Sequence, residues 1–284
     1  MRFWRVFLGG LVALCLPLHA GAAGTLDKIK LSKTINLGYR EASMPFSYVG
    51  DDNQPWGYSV DLCTKVAAAI VRQLGLEELQ LQWVSVTPET RVGKLKSGAI
   101  DLDCGSTTAT LSRMEEVDFS LVTYVDGGGY VTRRGSGVKT FADLSGRTVA
   151  VAAGTTSERT LNEALKQRKL VVQLTRVSEH QQGVSALLQG KADAYVSDRS
   201  LLIGLMLDAG AQGEWVLGPE ILSVEPYALM MRRNDADFRL AVNRELARLS
   251  RSREIHVIYD RWFGFLGKPA PLLDSVYQLN NLPE

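Results

Sequence analysis

The chain has 284 residues, 45% of them hydrophobic and 22% charged, with a formal net charge of +1. That is the size and composition of one large or two medium folded domains. The charge balance excludes a general electrostatic pull toward nucleic acid or an anionic membrane.

Met1-Arg2-Phe3-Trp4-Arg5 is basic, Val6 to Leu18 is apolar, and Ala20-Gly21-Ala22-Ala23 is small. This is the pattern of a secretory signal peptide, read as residues 1–22, cut near Ala22 or Ala23. The apolar run is shorter than the roughly 20 residues of a spanning helix. The mature protein is expected to be soluble and exported, and losing Arg2 and Arg5 takes its net charge from +1 to −1. Cys15 leaves with the leader, while Cys63 and Cys104 remain. An exported location permits a disulfide between them, with two buried thiols as the equal alternative. No Cys/His cluster has metal-ligand spacing, and neither a metal nor a cofactor is expected.

The first strand is Thr34 to Tyr39, ending at Arg40, and a turn-rich stretch follows from Tyr48 to Gly57. Apolar residues at helical spacing predict a helix over Ser59 to Leu74, stopped by Gly75. Leu79 to Val86 alternates as a second strand. Thr87-Pro88-Glu89 has the look of a helix start, with Thr as N-cap and Pro at the first helical position, so that Arg91 falls in the first turn. The strand Ala99 to Asp103 then opens onto Cys104-Gly105-Ser106-Thr107-Thr108, with Arg113 beyond. Phe119 to Tyr124 is extended, and Asp126-Gly127-Gly128-Gly129 is expected to interrupt it before Tyr130 to Thr132 resumes.

A second strand–helix series begins at Gly146. Its strands are Thr148 to Ala153, Leu170 to Val177 and Ala192 to Val196, the last leading to Ser197-Asp198. Its helices follow Thr155, whose spacing from Glu158 is that of a capping box, and then span Glu179 to Leu188 and Leu201 to Leu207. Val224-Glu225-Pro226-Tyr227 leads into the apolar run Ala228 to Met231. Helices over Asp235 to Leu249 and Glu254 to Phe263 come last, followed by a Pro-rich tail expected to be irregular. The alternation implies parallel α/β sheets in two series, 34–125 and 146–220, with crossings near 123–130 and 222–228.

Arg40, Arg91, Ser106 to Arg113, Thr155-Thr156 and Asp198 all fall at strand ends or helix starts, the edge of an open α/β sheet where ligands bind. Singly, each has a plain alternative: a solvated arginine, a capping aspartate or threonine, an exposed His180. Together, three arginines, hydroxyls and one aspartate suit a small zwitterion with extra negative charge. No nucleophile elbow, Walker loop or Gly-x-Gly-x-x-Gly fingerprint is present.

Gly38-Tyr39-Arg40-Glu41-Ala42-Ser43-Met44-Pro45-Phe46-Ser47-Tyr48, the Cys104 to Thr108 loop with Arg113, and Gly154-Thr155-Thr156-Ser157-Glu158 resemble the periplasmic glutamate/aspartate-binding proteins, family 3 solute-binding proteins of ABC importers. The resemblance runs from about Thr25 to about Phe263. It implies the type II periplasmic-binding-protein fold, two α/β lobes joined by two hinge crossings, with lobe 1 formed by 23–125 plus 227–284 and lobe 2 by 126–226. It also implies an acidic amino-acid ligand, permease and ATPase subunits as partners, a periplasmic location and a monomer. By position, Arg113 would hold the α-carboxylate, helped by Ser106, Thr108 and Thr156, and Asp198 would take the α-ammonium. Arg40, Arg91 and His180 would surround the side-chain carboxylate, so that a neutral side chain would leave Arg40 and Arg91 unpaired. The relatives carry a ligand-touching serine where this chain has Pro88. The alternative is a periplasmic enzyme on the same fold, cyclohexadienyl-dehydratase-like, with Glu41 or Asp103 as its general acid.

Overall fold

A computed structural model describes residues 24–211 and 213–284; the leader assigned to residues 1–22 lies outside them. The order of elements is α1 (Thr25–Ser32), β1 (Thr34–Tyr39), the short strands β2 (Ala42–Ser43), β3 (Ser47–Val49) and β4 (Pro55–Trp56), then α2 (Tyr58–Leu74), β5 (Gln80–Ser85), α3 (Arg91–Lys96), β6 (Leu102–Asp103), α4 (Leu111–Met114) and β7 (Val117–Arg133). There follow β8 (Thr148–Ala152), α5 (Thr156–Arg168), β9 (Gln173–Val177), α6 (His180–Leu188), β10 (Ala194–Asp198), α7 (Arg199–Asp208) and β11 (Trp215–Leu217). The chain closes with β12 (Ser223–Arg232), α8 (Ala236–Arg251), α9 (Glu254–Phe263) and α10 (Pro271–Leu279).

The strands are ordered β5-β1-β6-β12-β7-β10-β8-β9, with β11 added on β7. At one end β1 pairs in parallel with β5 and β6, and at the other β8 pairs in parallel with β9 and β10. Only β7 and β12 join the two ends. They run antiparallel to each other, from Val117 opposite Arg232 to Gly128 opposite Ser223. The structure is therefore two α/β lobes on a shared pair of long strands.

Strand periodicity accounts for the packing, since successive side chains point to opposite faces. Val149 and Val151 pack with Phe141 and Leu161 on one face of lobe 2, while Ala150 packs with Val184 and Leu187 on the other. Ala194 and Val196 join the first group, and Tyr195 joins the second. In lobe 1, Met230 faces Val86 and Ile100, while Leu229 and Met231 face the helical side with Phe238, Ile258 and Phe263. The largest core carries an aromatic nucleus in which Phe46 meets Tyr124 and Tyr227, each at 4.9 Å between ring centroids, and Tyr124 stacks on Phe263 at 4.7 Å. Tyr124 and Tyr227 belong to β7 and β12, so the crossing strands are anchored in lobe 1.

Three expectations about the elements change. The glycines 127–129 do not interrupt a strand, because β7 is continuous over 17 residues. Their value is close approach: a Cβ on Gly128 would lie 2.3 Å from the Ser223 hydroxyl, and one on Gly129 would lie 2.9 Å from Arg199 Cγ. The helix after β5 starts at Arg91, since residues 87–90 form a turn in which Thr87 N donates to Thr90 Oγ1 at 2.9 Å. The tail is not wholly irregular: Pro271 opens α10, which buries Leu273 and Tyr277.

Cys63 of α2 and Cys104, just past β6, form a disulfide that closes 41 residues of sequence. The bond ties the loop ahead of Ser106 to the lobe 1 core. Replacing both cysteines with alanine is expected to cost about 2–4 kcal/mol, measured by urea unfolding of the oxidised wild type against the double variant. Equal stabilities would contradict that role.

Candidate functional site

The strand ends of both lobes face one cleft, which the closed lobes narrow to a cavity of about 10 Å³. Lobe 1 lines it with Arg40, Arg91, Ser106 and Thr108, and lobe 2 with Thr156, His180 and Asp198. Seven of the eight residues singled out in the sequence thus converge. Arg113 stands at the rim, where Nη1 donates to the Thr108 carbonyl at 2.8 Å and Nη2 crosses to the Gly154 carbonyl at 3.3 Å. Pro88 is buried at the same seam, its carbonyl carbon 3.5 Å from where a Cβ on Gly154 would stand.

Arg40 follows β1 and is 1% exposed, and its Nη2 donates across the cleft to Glu179 Oε2 at 2.5 Å. This corrects the expectation that Arg40 lacks a carboxylate until a ligand supplies one. Glu179 is the residue just before α6, a position that reads in sequence as an ordinary helix start.

Arg91 is different. It is 3% exposed, and Nη1 donates to Thr107 Oγ1 at 2.6 Å, which in turn donates to Asp103 Oδ2 at 2.5 Å. Its Nε has no partner among the described residues. Burial and then the nearby Arg113 charge lower its pKa to about 9, against a smaller upward pull from Asp103. Desolvation, followed by Arg159, also lowers the pKa of Arg113. Both guanidinium groups are held where a further anion would stabilise them.

His180 is 2% exposed, with Nδ1 2.6 Å from Tyr195 Oη. Burial, then Arg40 and Arg91, push its pKa well below the usual value, so the ring is neutral at pH 7. The exposed alternative drawn from sequence does not hold. His180 lines the cleft as a neutral imidazole rather than as an imidazolium.

Asp198 ends β10 and precedes α7, but its side chain makes no cap. Its Oδ1 accepts from Ser157 Oγ at 2.9 Å, and its Oδ2 accepts from the Tyr227 hydroxyl. Desolvation first, then Glu225 and Asp126, push its pKa up to about 8. Asp126, on β7, accepts from the Gly127 and Ser200 backbone N–H groups and is raised to about 6, chiefly by burial. Thr155 caps α5 through Glu158 N at 3.1 Å, while Thr156 is the first helical residue and adds its hydroxyl to the cleft.

The cleft therefore has a cationic side short of counter-charge and, opposite it, the carboxyl of Asp198, which keeps its proton in the free protein and which a ligand ammonium would ionise; that suits an amino acid with its own opposed charges. Glu179, Glu225 and the Thr107–Asp103 relay were not singled out in the sequence. A lone carboxylate in the β-run before Tyr227 was the one usable signal.

Residues 35–265 match the model of the bacterial extracellular solute-binding proteins, family 3. The chain belongs to that family. It is 39% identical over 241 residues to an L-glutamate/L-aspartate-binding protein of Pseudomonas aeruginosa, covering 84% of this chain and 80% of that one. It is 33% identical over 260 residues to the glutamate/aspartate import solute-binding protein of Escherichia coli, covering 88% and 86%. Among solved structures, a mutant form of ArgBP from T. maritima superposes with a TM-score of 0.73 at 27% identity, covering 84% of this chain and 99% of that one. No helix among the described residues is long and apolar enough to cross a membrane.

The Asp198 shift fixes the sign of one pH dependence. The folded protein keeps this proton up to about pH 8, whereas the unfolded chain gives it up near the ordinary value of 3.8. Unfolding therefore releases a proton, and stability falls as pH rises toward 8. His180 acts in the opposite sense, since its lowered pKa costs stability only as pH falls below about 6.5. Between pH 6.5 and 8 the ligand-stripped protein is expected to lose up to about 1.4 kcal/mol per pH unit through Asp198. Urea unfolding should show this slope in wild type and a flatter one in Asp198→Asn. An identical slope in both would contradict it.

Proposed function

We propose that this chain captures an acidic amino acid, L-glutamate or L-aspartate, in the periplasm and delivers it as a monomer to the permease and ATPase subunits of an ABC importer. The observation that carries this reading is Arg91, a buried guanidinium on the cleft wall whose only side-chain partner among the described residues is a threonine hydroxyl. A buried cation left in that state is costly, and the side-chain carboxylate of an acidic ligand would remove the cost. Arg113 would grip the α-carboxylate together with Ser106 and the first-turn N–H groups at Thr156, where a helix has free donors. Asp198 would take the α-ammonium, and His180 would donate one N–H to the side-chain carboxylate. The lobe boundaries we assign are 125/126 and 226/227, at the two crossing strands.

The relatives named for glutamate and aspartate support the ligand class. The dehydratase-like alternative loses its acid candidates, because Glu41 is exposed and does not line the cleft. Asp103 is buried behind Thr107.

Calorimetry of the ligand-stripped mature protein with L-glutamate, L-aspartate, L-glutamine and L-arginine tests the reading. Tight binding of a neutral or basic amino acid with none of the acidic pair would overturn it. Arg113→Ala is expected to abolish binding of every amino acid. Arg91→Leu should cost about 3–5 kcal/mol for acidic ligands and much less for glutamine; small, equal losses from both variants would contradict the division of roles. Glu179→Gln removes the negative charge that shares Arg40, so it should raise the ratio of glutamate to glutamine affinity. A lower ratio would show that Glu179 does not compete for Arg40.

A further inference from the structure

Glu225 is a buried carboxylate for which the ligand reading has no use. It lies on β12 at the crossing between lobes, opposite Asp126, and is 2% exposed. All its hydrogen bonds among the described residues come from hydroxyls. Oε2 accepts from Thr108 Oγ1 of lobe 1 at 2.6 Å and from Thr156 Oγ1 of lobe 2 at 2.7 Å, and Oε1 accepts from Ser223 Oγ at 2.5 Å. Both threonines line the cleft.

A hydroxyl has one proton to donate and two lone pairs to offer. With both protons drawn to Glu225, the two threonine oxygens, 3.3 Å apart, have only lone pairs left for the cleft. Asp198 of lobe 2 lines the same cleft, its two oxygens accepting from Ser157 and Tyr227. The result is a patch of acceptors, which suits an ammonium and repels an anion.

We propose that Glu225 is a positioning residue that fixes the Thr108 and Thr156 hydroxyls as acceptors and so builds the pole that takes the ligand's ammonium group. The proposal rests on the amino-acid-binding reading, but not on the ligand being acidic. Its position between the lobes adds a second consequence. One carboxylate oxygen holds a hydroxyl from each lobe, so the acceptor pair is complete only when the cleft is closed.

Glu225→Gln keeps the shape, but its amide can donate to the threonines and release their protons toward the cleft. Calorimetry at pH 7 compares L-glutamate with glutarate, which has the same two carboxylates and no amino group. Wild type is expected to prefer glutamate by about 100-fold or more, and Glu225→Gln to lose about tenfold or more for glutamate while glutarate is unchanged or tighter. Equal losses for both ligands, an unchanged preference, or a wild type indifferent to the amino group would overturn the proposal. If Glu225→Gln does not fold, Thr108→Val, which removes one acceptor directly, must show the same narrowing; a preserved preference in that variant overturns it too. If wild type takes another amino acid instead, the acidic reading fails. The same comparison, run with that amino acid and its des-amino analogue, then decides the role of Glu225.

Discussion

Buried charge without counter-charge governs this molecule. Among the described residues, Arg91 and Arg113 have no carboxylate in hydrogen-bonding contact, while the buried carboxyl groups of Asp126, Asp198 and Glu225 have no cation in contact, and Asp198 answers its burial by keeping its proton. Each desolvated charge is expensive, and the direct remedy would be for the two sets to pair. The fold prevents this by giving each set hydroxyl or amide partners that hold it in place. Thr107 occupies Arg91, Thr108 and Thr156 occupy Glu225, and Ser157 with Tyr227 occupies Asp198. Opposite poles are thereby held on the two sides of a cleft that the closed lobes narrow to a cavity of about 10 Å³. The free energy withheld from internal pairing is available to a zwitterion that enters.

The same constraint explains the two long strands. Asp126 and Glu225 face each other on β7 and β12, and two residues along β12 from Glu225 stands Tyr227, whose ring is fixed in the lobe 1 aromatic nucleus while its hydroxyl reaches Asp198 of lobe 2. Tyr124 does the same from β7, bonding Ser200 of α7 at 3.0 Å. The hinge is thus anchored by aromatic packing on one side and by polar contacts on the other. Opening the lobes breaks hydrogen bonds that water can replace, and it draws Leu201 of α7 away from the lobe 1 core in which it packs. Where the lobes touch, the fit is close: a Cβ on Gly204 of α7 would stand 2.5 Å from the Met44 carbonyl oxygen.

What the sequence made legible follows from how local each signal is. Strand–helix alternation, helix caps and polar residues at strand ends are short-range patterns, and they located both lobes and the cleft residues. Arg40–Glu179 is 139 residues apart in sequence and Thr108–Glu225 is 117, so neither partner can be found by spacing. The glycines of β7 misled because a glycine cluster commonly breaks a strand. Here it lets β7 lie against Ser223 and Arg199 without a clash. The neutrality of His180 is equally non-local, since it comes first from burial and then from Arg40 and Arg91, brought near by the fold.

Arg40 changes how selectivity should be understood. With Glu179 as its partner, it contributes little net charge to the cleft, and the requirement for a ligand side-chain carboxylate falls mainly on Arg91. A pocket that depended on two unpaired arginines would reject neutral side chains strongly; one that depends on a single cation beside an internal ion pair discriminates less. Glu179 also sits on the lobe opposite Arg40, so this pair forms only on closure and adds to it whatever the ligand is. Under the proposed reading, closure and selectivity are therefore drawn from different arginines: Arg40 with Glu179 joins the lobes, and Arg91 would read the side chain.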